Sequence, residues 1–282
     1  MPTTQVYELP RRLVFGALAA FAMRRRGSPW DDAIAAIDGL THQPVVRGMD
    51  HVPMRGPVVF VPNHYERKDA VWVGWGAMAL TASLARSGRQ PGLKHMHWVM
   101  TDTWADCFIG PIRVDPRCLG WVLKAFANIY GIIRMPAHDL PTHDALRGRS
   151  AGALLELVHA LNDGHCVAVH PEAGGFETLI TPPKGSGRIF AYVARLGVPI
   201  LPVGIYEEGG CLQVNIGEPL DGRALACLAD RAAATMVMTE IARLVPLRTR
   251  GGYGGAGSTL PETEPDLTPA SVGATLEPVA SV

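Results

Sequence analysis

Short apolar runs, each halted by a residue that cannot continue a strand, constrain this chain more than any other feature. Val58–Val61 runs straight into Pro62-Asn63-His64, and Cys166–Val169 runs into His170-Pro171. Between such runs lie longer stretches with helical character. Ala70–Ala85 reads as a buried helix, Leu119–Tyr130 as another, and Ile189–Leu196 as a third that ends at Gly197. His97–Met100, Ile132-Ile133 and Val198–Ile205 read as further extended pieces. Ser150 reads as an N-cap for a helix over Ala151–Asn162, with Asp163-Gly164 closing it. Strand, helix, strand in succession predicts an α/β fold, with a largely parallel sheet covered by helices on both faces.

Three segments follow from composition. Residues 1–29 form a basic amphipathic N-terminal segment, with Arg11, Arg12, Arg24, Arg25 and Arg26 set against Glu8. Residues 30–248 form the α/β domain, and 249–282, rich in Gly, Pro, Thr, Ser and Glu, read as a disordered tail. The apolar stretch Leu13–Met23 is too short to span a bilayer, which needs roughly 18 apolar residues. Bracketed by arginines, it suits a helix lying on an anionic membrane surface; the plainer reading docks it on the protein's own core. Twenty-six basic residues balance twenty-six acidic ones, so no global field favours nucleic acid. Five scattered cysteines without a Cys-x-x-Cys pair fit a reducing, cytoplasmic interior. A peripheral protein on the inner face of the cell membrane is therefore expected.

The chemistry concentrates where strands end. His64 follows a strand and precedes a helix, so it belongs at the carboxyl edge of the sheet, where open α/β sheets place their ligands. Asp69 lies five positions on, completing a His-x4-Asp pattern. An alcohol attacking a thioester needs a base, and neutral imidazole serves near neutral pH. A carboxylate on the other ring nitrogen would fix the tautomer and steady the imidazolium. His97 and Asp102 repeat the spacing, but His97 lies inside a strand-like run and reads as a packed histidine. Glu172, beside Ala173, Gly174 and Gly175, follows the second strand to the same edge. The pairs His138/His143 and His165/His170 miss the spacing that puts two imidazoles on one helical face, and no metal site is expected. Gly148-Arg149-Ser150-Ala151-Gly152 matches a nucleophile elbow, which would need a strand running directly into it; the preceding stretch is polar and loop-like.

Asn63-His64 with Asp69, then His170-Pro171-Glu172, Lys184-Gly185 and Val198-Pro199-Ile200-Leu201-Pro202, in this order, resemble the glycerolipid acyltransferase family that includes the 1-acylglycerol-3-phosphate acyltransferases. The similarity runs over roughly residues 45–220. It implies acyl-CoA or acyl-carrier protein as donor, a lipid-like hydroxyl acceptor, and no cofactor beyond that co-substrate. His64 would be the base and Asp69 its partner. Glu172, Arg134 and Gly174 would bind the acceptor, while Pro199 and Pro202 would shape the acyl site. Arg134 enters through Gly131-Ile132-Ile133-Arg134, the best match to the family's second block, with Arg113 as a rival. One departure stands out. Members usually carry Glu-Gly-Thr-Arg in the third block, and here glycine fills the position of the phosphate-gripping arginine. A non-catalytic lipid-binding module of the same fold, and a serine hydrolase using Ser150, are the alternatives.

Overall fold

The computed structural model describes residues 7, 16, 19, 23, 27–67, 70–88, 96–101, 108–109, 112–113, 115–136, 143–172 and 174–254. Its first complete helix, α1 (Pro29–Asp38), starts where Ser28 accepts the Asp31 N–H and proline occupies the first turn. Strand β1 (Val45–Arg47) follows, then β2 (Val59–Pro62), α2 (Gly74–Arg86) and β3 (Met96–Thr101). A small antiparallel pair, β4 (Phe108–Ile109) and β5 (Ile112–Arg113), precedes α3 (Pro116–Tyr130) and β6 (Ile133–Met135). The chain continues through α4 (His143–Asn162), β7 (Cys166–Ala168), α5 (Ser186–Arg195), β8 (Ile200–Glu208), β9 (Cys211–Ile216), α6 (Gly222–Ala226) and α7 (Asp230–Arg243).

Among the described residues, seven strands form one sheet in the order β1-β9-β8-β2-β7-β3-β6. Strands β8, β2, β7, β3 and β6 all run parallel, so the predicted parallel α/β sheet is what forms. Every residue of β2 is buried. Successive side chains point to opposite faces, so both faces must be covered. On this central strand the β-branched and aromatic run Val59-Phe60-Val61 packs into the core from both sides.

One pairing in the largely parallel sheet is antiparallel. β9 runs antiparallel to β8, joined to it by Gly209-Gly210. Both glycines have positive φ, 61° and 74°, the conformation that a two-residue hairpin turn demands. Helix α4 begins earlier than expected, at His143, which places Ser150 in its third turn rather than at its N-cap. The predicted tail boundary at 249 moves as well. Leu247–Thr249 and Gly251–Tyr253 form short 3-10 turns, and the Leu179 N–H donates to the Thr249 carbonyl. Residues 255–282 lie outside the described residues, as does most of the predicted N-terminal segment. From that segment Tyr7 stacks obliquely on Trp75 and its hydroxyl donates to Glu207.

Lys184-Gly185-Ser186-Gly187 owes its composition to a helix crossing. Gly185, at φ 101°, precedes α5, and its N–H and that of Arg188 both donate to the Asp230 carboxylate at the start of α7. A β-carbon at Gly187 would fall 2.7 Å from the Ala234 nitrogen and closer still to the Asp230 carbonyl oxygen, both on α7. The two helices touch backbone to backbone there. Gly187→Ala should therefore overpack the crossing and cost about 1–3 kcal/mol in a urea unfolding experiment; unchanged stability would refute this account.

Candidate functional site

The site begins with the way β2 stops. Pro62 has no N–H to give the ladder, and Asn63 takes over with its side chain. Its Nδ2 donates to the Ile205 carbonyl at 2.9 Å, and its Oδ1 accepts the Ile205 N–H at 2.6 Å. The carboxamide thus imitates one more rung of sheet, at a residue only 4% exposed. Freed from pairing, the backbone can leave the sheet at His64. The segment then runs beside residues 175–176, with the Phe176 N–H donating to the His64 carbonyl and the Glu66 N–H to the Phe176 carbonyl.

His64 is held where the sequence placed it, at the carboxyl edge of the sheet. Its ring meets that of His170 edge to face, with centroids 4.6 Å apart, and Trp98 stacks on His170 at 5.4 Å. His170 Nδ1 lies 3.1 Å from the Pro62 carbonyl, which favours the tautomer that carries the proton there. Burial pushes the His170 pKa down to about 4. His64 is lowered well below the ordinary histidine value, first by burial and then by the neighbouring His170. Both imidazoles are neutral at pH 7. Among the described residues His64 Nδ1 is buried without a hydrogen-bond partner. Asp69, its expected partner, lies outside the described residues.

Glu172 is 5% exposed, and its carboxylate is engaged from both ends. Oε2 accepts the His64 backbone N–H at 2.7 Å, and Oε1 accepts the Ile180 N–H at 2.8 Å. It therefore braces the His64 loop; both oxygens already have backbone partners, unlike a side chain held out toward an acceptor. Burial raises its pKa to about 7 against the pull of those two amides. Gly174 sits against the Phe176 ring. Gly175 matters more. A β-carbon there would lie 2.7 Å from His64 Nδ1 and nearer still to a carboxylate oxygen of Glu66, so both side chains converge on the space a larger residue would fill.

The other expected residues scatter. Arg134 lies on edge strand β6, half-buried and three strands from β2, about 14 Å across the sheet. Pro199 stands at the amino end of β8, its carbonyl accepting the Val59 N–H, about 16 Å along the strands from His64. Pro202 is buried in mid-strand, its carbonyl accepting the Gly217 N–H. Both prolines belong to the sheet, on or immediately before the strand that pairs with β2. Ser150 is exposed on α4 with no strand feeding it, which removes the nucleophile elbow. His97 is the packed histidine expected, its Nε2 3.1 Å from His165 Nδ1. Among the described residues no three His, Cys, Asp or Glu side chains gather as a metal site.

Sequence reasoning overlooked two partners of the site, Glu66 and Glu207. Arg67 donates to Glu207 Oε2 through Nε at 2.9 Å and through Nη2 at 2.7 Å. Glu207 lies near the end of β8, two residues past the Ile205 that Asn63 clasps, a proximity set by the register of β2 on β8.

Residues 43–206 match the family model described as Acyltransferase. Among solved structures, the 1-acyl-sn-glycerophosphate acyltransferase PlsC from Thermotoga maritima aligns at a TM-score of 0.46 and 15% identity, over 82% of this chain and 85% of that one. No curated protein sequence matches the chain.

Two substitutions test the construction. Asn63→Ala leaves the Ile205 N–H and carbonyl unpaired in the core and should cost about 2–5 kcal/mol, measured by denaturant unfolding. Glu172→Gln tests the brace through pH. In the folded state Glu172 holds its proton up to about 7, against 4.5 for an ordinary glutamate. Between those values the folded chain binds the extra proton, so this group's stabilising contribution is full below pH 4.5 and lost as pH rises through 7. The wild type's stability relative to the non-titrating glutamine variant should fall by about 3 kcal/mol from pH 4.5 to 7.5. A difference that is flat with pH would contradict the assignment.

Proposed function

Because the chain belongs to the acyltransferase family, we propose that it moves a fatty acyl group from a thioester to a hydroxyl of a glycerolipid-like acceptor, with His64 as general base. The observation that carries this reading is a neutral, half-buried imidazole at the carboxyl edge of the sheet, its backbone fixed by Glu172 on one side and by the Asn63 clasp on the other. The donor is acyl-CoA or acyl-carrier protein. The acceptor oxygen attacks the thioester carbonyl while the imidazole takes its proton. Collapse of the tetrahedral species breaks the carbon–sulfur bond, and the departing thiolate recovers that proton from the imidazolium. Asp69 is proposed to hold the second ring nitrogen and steady the cation. No covalent acyl-enzyme is involved.

We further infer that the reaction takes place on a membrane surface at the inner face of the cell membrane. No helix among the described residues is long and apolar enough to cross a membrane. Helix α3 nevertheless presents Trp121, 61% exposed, together with Val122 and Phe126. Gly27, where the basic N-terminal segment joins the domain, donates its N–H to the Ile129 carbonyl of that same helix. An exposed aromatic face on the helix that Gly27 contacts, in a chain whose first residues are basic and apolar in sequence, suits an anionic bilayer.

Mutation separates this reading from hydrolysis at Ser150. With palmitoyl-CoA and a panel of lysolipid acceptors, His64→Ala should lower acceptor-dependent CoA release by about a thousandfold or more, within the range assigned to a general base plus positioning. Ser150→Ala should retain wild-type rates. A folded, active His64→Ala enzyme would remove the mechanism.

A further inference from the structure

The polar groups around His64 carry a preference about the acceptor. Gly175 offers its neighbours the volume of an absent side chain, and Glu66 and the His64 imidazole both occupy it. No larger residue, arginine included, has room at this position without displacing them. Glu66 is half-buried, and among the described residues its carboxylate has no hydrogen-bond or ion-pair partner. Burial raises its pKa, the expected response of a carboxylate losing water without gaining a cation. The nearest cation along the chain among the described residues, Arg67, is held by Glu207 through two nitrogens. His64 Nδ1, buried and without a partner among the described residues, borders the same space.

Among the described residues, a phosphate monoester brought to this place would meet a carboxylate and a neutral imidazole. A hydrogen-bond-donating headgroup would meet a half-buried carboxylate that accepts from no protein donor among the described residues. We propose that Glu66 is an acceptor-recognition residue and that the acceptor is a hydroxyl lipid without a phosphate monoester, its headgroup bound through hydroxyl or ammonium donors. The proposal rests on the acyl-transfer reading and narrows its acceptor class.

The experiment uses the full chain in mixed micelles with palmitoyl-CoA and three single-chain acceptors: 1-acylglycerol 3-phosphate, 1-acylglycerol, and an acylated amino-diol carrying a free ammonium group. Products are identified by mass spectrometry and CoA release is followed in parallel. The wild type should favour the two phosphate-free acceptors in kcat/KM by on the order of tenfold or more. Glu66→Gln should shrink that preference, most strongly for the ammonium acceptor, and Glu66→Asp should restore part of it. Thermal unfolding of each variant checks that the fold is retained. A larger effect for the ammonium acceptor assigns a cationic headgroup; equal effects on both assign a neutral polyol.

Preference for the phosphate acceptor in the wild type overturns the proposal and leaves acyl transfer standing. So does a Glu66→Gln enzyme that slows on all three acceptors alike with a displaced pH profile, since Glu66 would then serve the imidazole. Absence of product and of CoA release with every acceptor defeats the acyl-transfer reading itself.

Discussion

Everything at this site depends on how one strand is brought to an end. Asn63 places a carboxamide where β2 would otherwise need another peptide unit, satisfying both the N–H and the carbonyl of Ile205 on β8. A buried strand end left unpaired would expose donors and acceptors to the core at the cost of lost hydrogen bonds. A side chain that makes the rung lets the main chain depart one residue early without that cost. His64 is the residue that departs. The Glu172 carboxylate, reaching over from the loop after β7, then catches its N–H.

The same brace ties together segments far apart in sequence. Glu172 joins residue 64 to residue 180, and Leu179 in turn donates its N–H to Thr249 in the C-terminal turns. Burial makes a charged carboxylate costly, and its elevated pKa measures how incompletely two amides offset that cost. Such a group confers geometry more than stability. Its two oxygens accept from two fixed directions, which holds a loop more tightly than apolar contact alone.

Much of this was legible in the amino-acid sequence, for physical reasons that also mark where legibility stopped. Val59-Phe60-Val61 and Cys166-Val167-Ala168 are apolar runs stopped by proline or histidine, and their register puts His64 and His170 on one edge. Local signals sufficed there. They failed where the deciding contact is distant. Nothing near Glu172 announces that its oxygens belong to the amides of residues 64 and 180. Where the prolines of 198–202 fall along the sheet is likewise a matter of pairing, since β8 beside β2 puts Pro199 level with the start of β2. Helix α4 begins seven residues before the apparent cap, because the polar stretch ahead of Ser150 carries no apolar periodicity to announce a helix. Strand β9 carries Gln213 and Asn215 among its apolar residues, so its run looked broken. Arg47 donates to Gln213 across β1, and Asn215 donates to the Leu244 carbonyl, which is how polar residues are accommodated in that edge.

The electrostatics of the site follow from burial. Two adjacent, largely desolvated imidazoles cannot both readily carry an extra proton, and His170 directs its Nδ1 at the Pro62 carbonyl. With His170 neutral, His64 faces an edge of an uncharged ring and not a second cation. Desolvation lowers the proton affinity of His64 further, which keeps the base free at neutral pH but weakens it as a proton acceptor. A carboxylate that became a partner only as the imidazolium forms would offset this loss at the moment it matters, and Asp69 and Glu66 are the two acids on the His64 loop. The glycine at 175 lets Glu66 turn inward, so that its carboxylate and the His64 Nδ1 border the same space.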